Sequence, residues 1–308
     1  MVRSMTRREM LATTGGFGAA VALGQPGSAH AAKRKDNWII TLNASTIRPA
    51  PLEDKVRIAA EAGYQGIELW SNELSDYAAA GKPLEALGKR IKDLGLIVPN
   101  VIGLWDCMPE GEREHVQALD RVRRQMADAA KVGAIHIAAI PTPDRPNIDL
   151  VWAAERYREL LGIGEEFGVI PAVEFVGFLQ GIHRLGQAVA IAIEADHPQA
   201  CLVADTFHLY RGGSGFNGVR ALAGRLIAVF HFNDAPAQPP RSQQKDSDRV
   251  YPGDGILPLV QLLRDLREIG FRGPLSLEVF NEGYWRQEPL EVAKTGLRKI
   301  RALIAASA

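Results

Sequence analysis

Four ionisable side chains stand inside short runs that are otherwise apolar. Glu174 closes Val-Ile-Pro-Ala-Val-Glu, and Asp205 lies in Cys-Leu-Val-Ala-Asp-Thr-Phe-His, which also carries His208. His231 interrupts Ile-Ala-Val-Phe-His-Phe-Asn-Asp, and Glu278 interrupts Leu-Ser-Leu-Glu-Val-Phe. A charge buried in such a run is costly unless it is paired or binds a metal. Any one of the four alone reads as a helix cap, an ion pair or a packed core histidine. Together they are three carboxylates and one imidazole on successive runs. That mixed oxygen and nitrogen set suits a single divalent metal ion, Mn²⁺ first and Zn²⁺, Co²⁺ or Mg²⁺ as alternatives.

The elements that must carry these groups have a regular rhythm. Val/Ile/Leu-rich runs lie at 38–43, 66–70, 97–103, 134–140, 170–175, 202–205, 227–232 and 275–280. Short apolar runs of this kind read as parallel strands buried on both faces. Between them, helical stretches at 52–62, 84–94, 112–132 and 150–167 each end at a glycine (Gly63, Gly95, Gly133, Gly168), the usual left-handed stop. Further helices are expected near 182–195, 217–223, 257–269 and 289–305. Eight strand-then-helix units make an α/β fold, a (β/α)8 TIM barrel. A doubly wound open sheet would show a glycine-rich phosphate turn after its first strand, where this chain has Asn43-Ala44-Ser45-Thr46. In a barrel the active site lies at the C-terminal strand ends, where Glu174, Asp205, His231 and Glu278 would converge. The irregular stretch 233–255, after the seventh strand, would lie on that face; loops of that length are usually functional.

These stretches resemble the xylose isomerase-like sugar isomerase/epimerase superfamily. Gly-Ile-Glu-Leu-Trp (66–70), Val-Glu-Phe-Val-Gly-Phe (173–178) and Glu-Val-Phe-Asn-Glu-Gly-Tyr-Trp (278–285) are most similar to its inosose isomerases. The resemblance covers residues 38–305. It implies that Glu174, Asp205, His231 and Glu278 hold the metal, with Glu174 and Glu278 also serving as the acid/base pair. It implies that His208 binds substrate hydroxyls and that Arg249, before Val-Tyr-Pro-Gly-Asp-Gly, contacts a substrate oxygen. Arg249 also reads as a loop arginine paired with Asp246, Asp248 or Asp254. Asp234 either orients His231 or caps the following segment. Glu68 either faces the pocket or is structural.

The expected chemistry is proton transfer through an ene-diolate: isomerisation or epimerisation of a keto-sugar or inosose-like keto-cyclitol. With a leaving group β to the carbonyl, the same groups would instead act as a dehydratase or lyase on a keto-cyclitol or 3-keto-glycoside. A non-catalytic sugar-binding protein is the alternative of another class. Trp70 and Trp105, which end strands, together with Trp285, Phe207 and Phe280, either stack on a sugar or fill the barrel rim. His136 is expected in the core, and His115, His183 and His197 on the solvated surface. Cys107 and Cys201 are expected as free thiols.

Composition narrows the partners. The 308 residues carry 36 basic and 36 acidic side chains, with 46% hydrophobic and 23% charged residues. This is globular composition, without the basic excess of a nucleic-acid binder. It disfavours the nucleases that share the barrel and draw many histidines to their metals. Residues 1–31 read as a signal peptide: Arg3, Arg7 and Arg8, an apolar stretch from Met10 to Leu23, then Ala29-His30-Ala31. Thr-Arg-Arg-Glu-Met-Leu (6–11) is similar to the twin-arginine export motif. Its removal takes three arginines and one glutamate from a chain with 36 of each sign, leaving a net charge of −2. The expectation is therefore a periplasmic barrel over residues 32–308, with no membrane segment in the mature form. Its partner is a small sugar or cyclitol; a homo-oligomer is left open.

Overall fold

The computed structural model describes residues 38–308. The expected signal peptide, residues 1–31, lies outside the described residues. Eight parallel strands close into a barrel in sequence order. The chain runs β1 (Ile40–Asn43), α1 (Leu52–Ala62), β2 (Gly66–Trp70), α2 (Ser71–Ala79), α3 (Leu84–Asp93), β3 (Val98–Leu104), α4 (Glu112–Lys131), β4 (Ala134–Ala139) and α5 (Leu150–Phe167). It continues through β5 (Ile170–Glu174), α6 (Leu185–Glu194), β6 (Leu202–Asp205), α7 (Thr206–Arg211), β7 (Ile227–Phe232), α8 (Leu259–Glu268), β8 (Leu275–Leu277), α9 (Glu282–Trp285) and α10 (Pro289–Ala306). Pairing of β1 with both β2 and β8 closes the ring.

Alternation along each strand sorts side chains between the helix layer and the barrel interior. Ile67, Leu69, Phe230, Phe232, Leu275 and Leu277 belong to the main apolar core. The residues between them, Glu68, His231 and Ser276, point the other way and meet one another across the barrel. Register sets neighbours at the same height: Asn43 beside Glu68, Asp205 beside His231, and His231 beside Ser276. A separate apolar cluster on β3–β7 includes Ile102, Ala138, Ile140, Ala172 and Val203.

The glycine stops hold, as at Gly63 (φ 91°) and Gly168 (φ 69°), both left-handed. Three differences from the expected elements have local causes. Residues 217–223 form a 3-10 turn, Asn217–Ala221, rather than an α-helix. Short helices α7 and α9 start where side chains cap them: Asp205 accepts from His208 N (2.8 Å), and Asn281 accepts from Gly283 N (2.9 Å) and Tyr284 N (3.3 Å). α2 follows β2 directly, with no turn residue to announce it. His115 is buried, not solvated: it lies on the inward face of α4 with Ala118, Val122 and Met126, and its Nε2 pairs with Glu159 at 2.6 Å. Cys107 and Cys201 are free and buried. Among the described residues no helix is long and apolar enough to cross a membrane.

Candidate active site

His231 organises the barrel interior. Its ring is fully buried. On one side Nε2 lies 3.2 Å from Glu68 Oε1. That carboxylate also accepts from Asn100 Nδ2 (2.8 Å), Asn43 Nδ2 (3.2 Å) and Ser276 Oγ. Burial alone would raise the Glu68 pKa, but the charge of His231 and these donors bring it below the usual carboxylate value. Glu68 is therefore a fixed anion within the barrel. It resolves the choice left open by the sequence: this carboxylate faces inward and orients His231.

On the other side Nδ1 stands 3.2 Å from Glu278 Oε2, 3.3 Å from Glu174 Oε1 and 3.7 Å from Asp205 Oδ2. It makes no aligned hydrogen bond. Three carboxylates thus converge on a buried nitrogen whose partner nitrogen is already engaged. Burial opposes a charged imidazole, yet Glu278, Glu68 and Glu174 raise the His231 pKa well above its usual value. Burial also pushes Glu278 up to about 7. The arrangement calls for positive charge at this point. Asp205, His231 and Glu278 offer ligand atoms within 4.8 Å of one another and could hold a metal ion. Glu174 reaches His231 from the same side but is not part of that compact group of three.

The carboxylates are held from behind. Asp205 caps α7 with Oδ1, which fixes Oδ2 toward His231; Oδ2 also accepts from Asn233 Nδ2 at 3.2 Å. Burial would raise the Asp205 pKa, and Arg249, His208 and His231 lower it. Arg249 is buried, and its Nη1 donates to Asp205 Oδ2 and Glu278 Oε2, both at 2.8 Å. Its Nε and Nη2 reach Asp246 Oδ1 at 3.0 and 2.6 Å. Of the acids considered as its partner, Asp246 is the one engaged, and the same guanidinium reaches into the site. Nη2 also lies 3.3 Å from His208 Nε2. An acceptor role there assigns the His208 proton to Nδ1, which has no partner. Burial, the largest influence, holds the His208 pKa below its usual value.

A model of the xylose isomerase-like TIM barrel family matches residues 56–303. The chain belongs to this family. It is 27% identical over 262 residues to an inosose isomerase of Bacillus licheniformis, covering 82% of this chain and 92% of that protein. A 3-dehydroshikimate dehydratase of Pseudomonas putida is 25% identical over 253 residues, covering 81% of this chain and 39% of that protein. Among solved structures, an IolI protein with a bound zinc atom has a TM-score of 0.81 at 24% identity, covering 87% of this chain and 99% of that one.

Within this xylose isomerase-like barrel, the remaining expected residues separate. Trp70 is half-buried; its Nε1 donates to Asn43 Oδ1 at 3.1 Å, and its ring stands edge-on to Phe280 at 5.9 Å. Trp105 is 43% exposed and its ring folds over Gly103. Trp285 donates to Ser45 O at 2.9 Å. Asp234 caps the following segment and does not orient His231. It accepts from the amides of Ala235 (2.8 Å), Gly253 (3.0 Å) and Leu257 (3.0 Å). That ties down the loop that carries Arg249. A Cβ at Gly255 would come within 2.3 Å of Asp234 Oδ1, so only glycine lets the loop close here.

Asn43 is the residue that motif reading missed. Its Nδ2 donates to Glu278 Oε1 at 3.0 Å as well as to Glu68, while its Oδ1 accepts from Trp70 and from Ser45 N. The available signal was a polar residue at the end of the first apolar run. His136 lies in β4 with Nδ1 2.9 Å from Pro99 O, within electrostatic reach of Glu68.

Proposed function

We propose that the protein is a divalent-metal-dependent isomerase or epimerase of a keto-sugar or keto-cyclitol. The observation that carries this reading is the His231 ring, held by Glu68 at Nε2 and facing three carboxylates at 3.2–3.7 Å from Nδ1. Glu174, Asp205, His231 and Glu278 would hold the ion. Bound there, the ion supplies Lewis-acid polarisation of a carbonyl and acidifies the adjacent C–H. The oxygen-rich donor set favours Mn²⁺, with Zn²⁺, Co²⁺ and Mg²⁺ as alternatives.

The chain's own groups do the rest. One of Glu174 and Glu278 accepts the proton from the carbon next to the carbonyl, and the C–H electron pair moves into an ene-diolate. Return of a proton to the neighbouring carbon relocates the carbonyl; return to the opposite face inverts the centre. Burial pushes Glu278 up to about 7 in the metal-free site, and a bound ion would favour its carboxylate, the form that accepts the proton. His208 offers its free Nδ1–H to a substrate hydroxyl, and Arg249, its N–H donors taken by Asp205, Glu278, Asp246 and His208, fixes the two site carboxylates. Trp70 and Trp105 border the sugar. The inosose isomerase relative supports the cyclitol-like substrate class.

The dehydratase relative favours a second reading with the same groups. Proton removal followed by loss of a β-hydroxyl or β-glycosyl group would make the enzyme a lyase. We also take the enzyme to act in the periplasm, exported through residues 1–31 by the twin-arginine route. Replacing Arg7 and Arg8 by Lys should retain it in the cytoplasm on fractionation.

The decisive measurement is NMR of hydrogen exchange in D2O, with keto-sugars, inososes and 3-keto-glycosides, in Mn²⁺ or EDTA. Metal-dependent deuterium uptake beside a carbonyl, absent in Glu278→Gln, is expected. The product then distinguishes isomer, epimer and eliminated compound. No exchange together with no stoichiometric metal would leave a non-catalytic binding protein.

A further inference from the structure

Arg48, just beyond β1, is exposed, and among the described residues its guanidinium makes no hydrogen bond and no ion pair. An unpaired arginine in solvent is ordinary. This one is surrounded by aromatic rings: its Cζ lies 4.9 Å from the Trp70 centroid, 5.5 Å from Phe280 and 5.8 Å from Trp285. Aromatic faces attract and orient a guanidinium without using its N–H donors.

The cage is also tied to the candidate active site. Trp70 is hydrogen-bonded to Asn43, which holds Glu278. The Phe280 ring that faces Arg48 has Arg249 5.0 Å from its centroid. The two guanidiniums near this ring are in opposite states. Arg249 is buried and committed to Asp205, Glu278 and Asp246. Arg48 is accessible and uncommitted.

We infer that Arg48 is a specificity residue that binds an anionic oxygen group, a carboxylate or phosphate, carried by the substrate at the β8–β1–β2 side of the barrel mouth. The inference rests on the isomerase or lyase reading for the location of the reacting carbons, and it narrows the substrate class from neutral sugars and cyclitols to acidic ones. The physical basis is the pairing of a planar multi-donor cation with an oxyanion, which a neutral hydroxyl matches poorly. The carboxylates of the inner site repel such a group, so a cation at the rim is what makes an acidic substrate acceptable.

The test is calorimetric binding at fixed salt to the intact protein, using three non-reacting probes: myo-inositol, quinate and myo-inositol 1-phosphate. We expect at least one anionic probe to bind about tenfold or more tighter than myo-inositol. In Arg48→Met the ratio of anionic to neutral affinity should fall about tenfold, with an intermediate ratio in Arg48→Lys, which keeps the charge and loses the planar fork. Preference for quinate assigns a carboxylate, and preference for the inositol phosphate assigns a phosphate. The inference is overturned if neither anion binds better than myo-inositol, or if Arg48→Met leaves the ratio unchanged, the result expected of a residue that only clamps the rings. Because no turnover is read, failure here is separate from failure of the deuterium-exchange experiment.

Discussion

The two sides of the His231 ring differ in a way that explains the site. On the Nε2 side one carboxylate, Glu68, meets four donors, from His231, Asn100, Asn43 and Ser276. On the Nδ1 side three carboxylates meet a nitrogen without an aligned hydrogen bond, and the Arg249 guanidinium bonds two of them. A surplus of donors makes a permanent anion that positions its neighbours. A surplus of acceptors makes a place that is stable only with added positive charge. Both sides are buried, so the difference comes chiefly from the partners.

The largest effect should come from the acceptor-rich side. Removing metal with EDTA, or replacing Glu278 by Gln, is expected to lower deuterium exchange by at least about 10³-fold, since ligand and proton carrier are lost together. Activity that survives both would remove the contrast between the two sides. Next, Glu68→Gln should weaken metal binding by about 10- to 100-fold, because it loosens the orientation of His231 without touching the ion. Metal titration followed by calorimetry reads this directly, and an unchanged affinity would reduce Glu68 to a packing role.

The two carboxylates should also give opposite pH slopes in metal-free protein. Burial pushes Glu278 up to about 7, above the usual 4.5 of a free glutamate, so the folded state holds its proton more tightly than the unfolded state. Its contribution to stability therefore declines as pH rises from about 4.5 to about 7, and this decline should vanish in Glu278→Gln or on adding metal. The Glu68 pKa is lowered, so its contribution is present above pH 4.5 and is lost as pH falls through the folded value. Thermal melts of the wild type, Glu278→Gln and Glu68→Gln between pH 4 and 8 would show it. Equal slopes would contradict the assignment. The smallest expected effect is Asn43→Ala, about a tenfold fall in kcat, because Glu278 keeps Arg249 when it loses the amide. A larger change in KM than in kcat would argue that Asn43 touches substrate instead.

Much of this was legible in the chain, for identifiable reasons. β2, β6 and β7 follow the apolar runs at 66–70, 202–205 and 227–232, since buried parallel strands need continuous apolar sequence. His231, Asp205, Glu174 and Glu278 were visible as ionisable residues inside such runs, and they do converge. Glu68 carried the same signal, but nothing in sequence distinguishes a carboxylate on the Nδ1 side of His231 from one on its Nε2 side. Trp105 met the criterion of ending a strand, yet it is largely exposed, whereas Trp70 is bound to Asn43. His115 could have been recognised as buried from its spacing to Ala118, Val122 and Met126.

By itself, the sequence determined the barrel, the strand ends and the identity of the groups brought there, because these depend on local periodicity and on the cost of burying charge. Only the tertiary structure decided which partner each group has. Strand register set Asn43 beside Glu68 and Asp205 beside His231, barrel closure carried Glu68 across to His231, and the loop after β7 folded Arg249 back onto Asp205 and Glu278. Those contacts join residues up to 235 positions apart, as in Asn43 and Glu278, so no local pattern could encode them. They are what separate a fixed anion from a site that needs a cation.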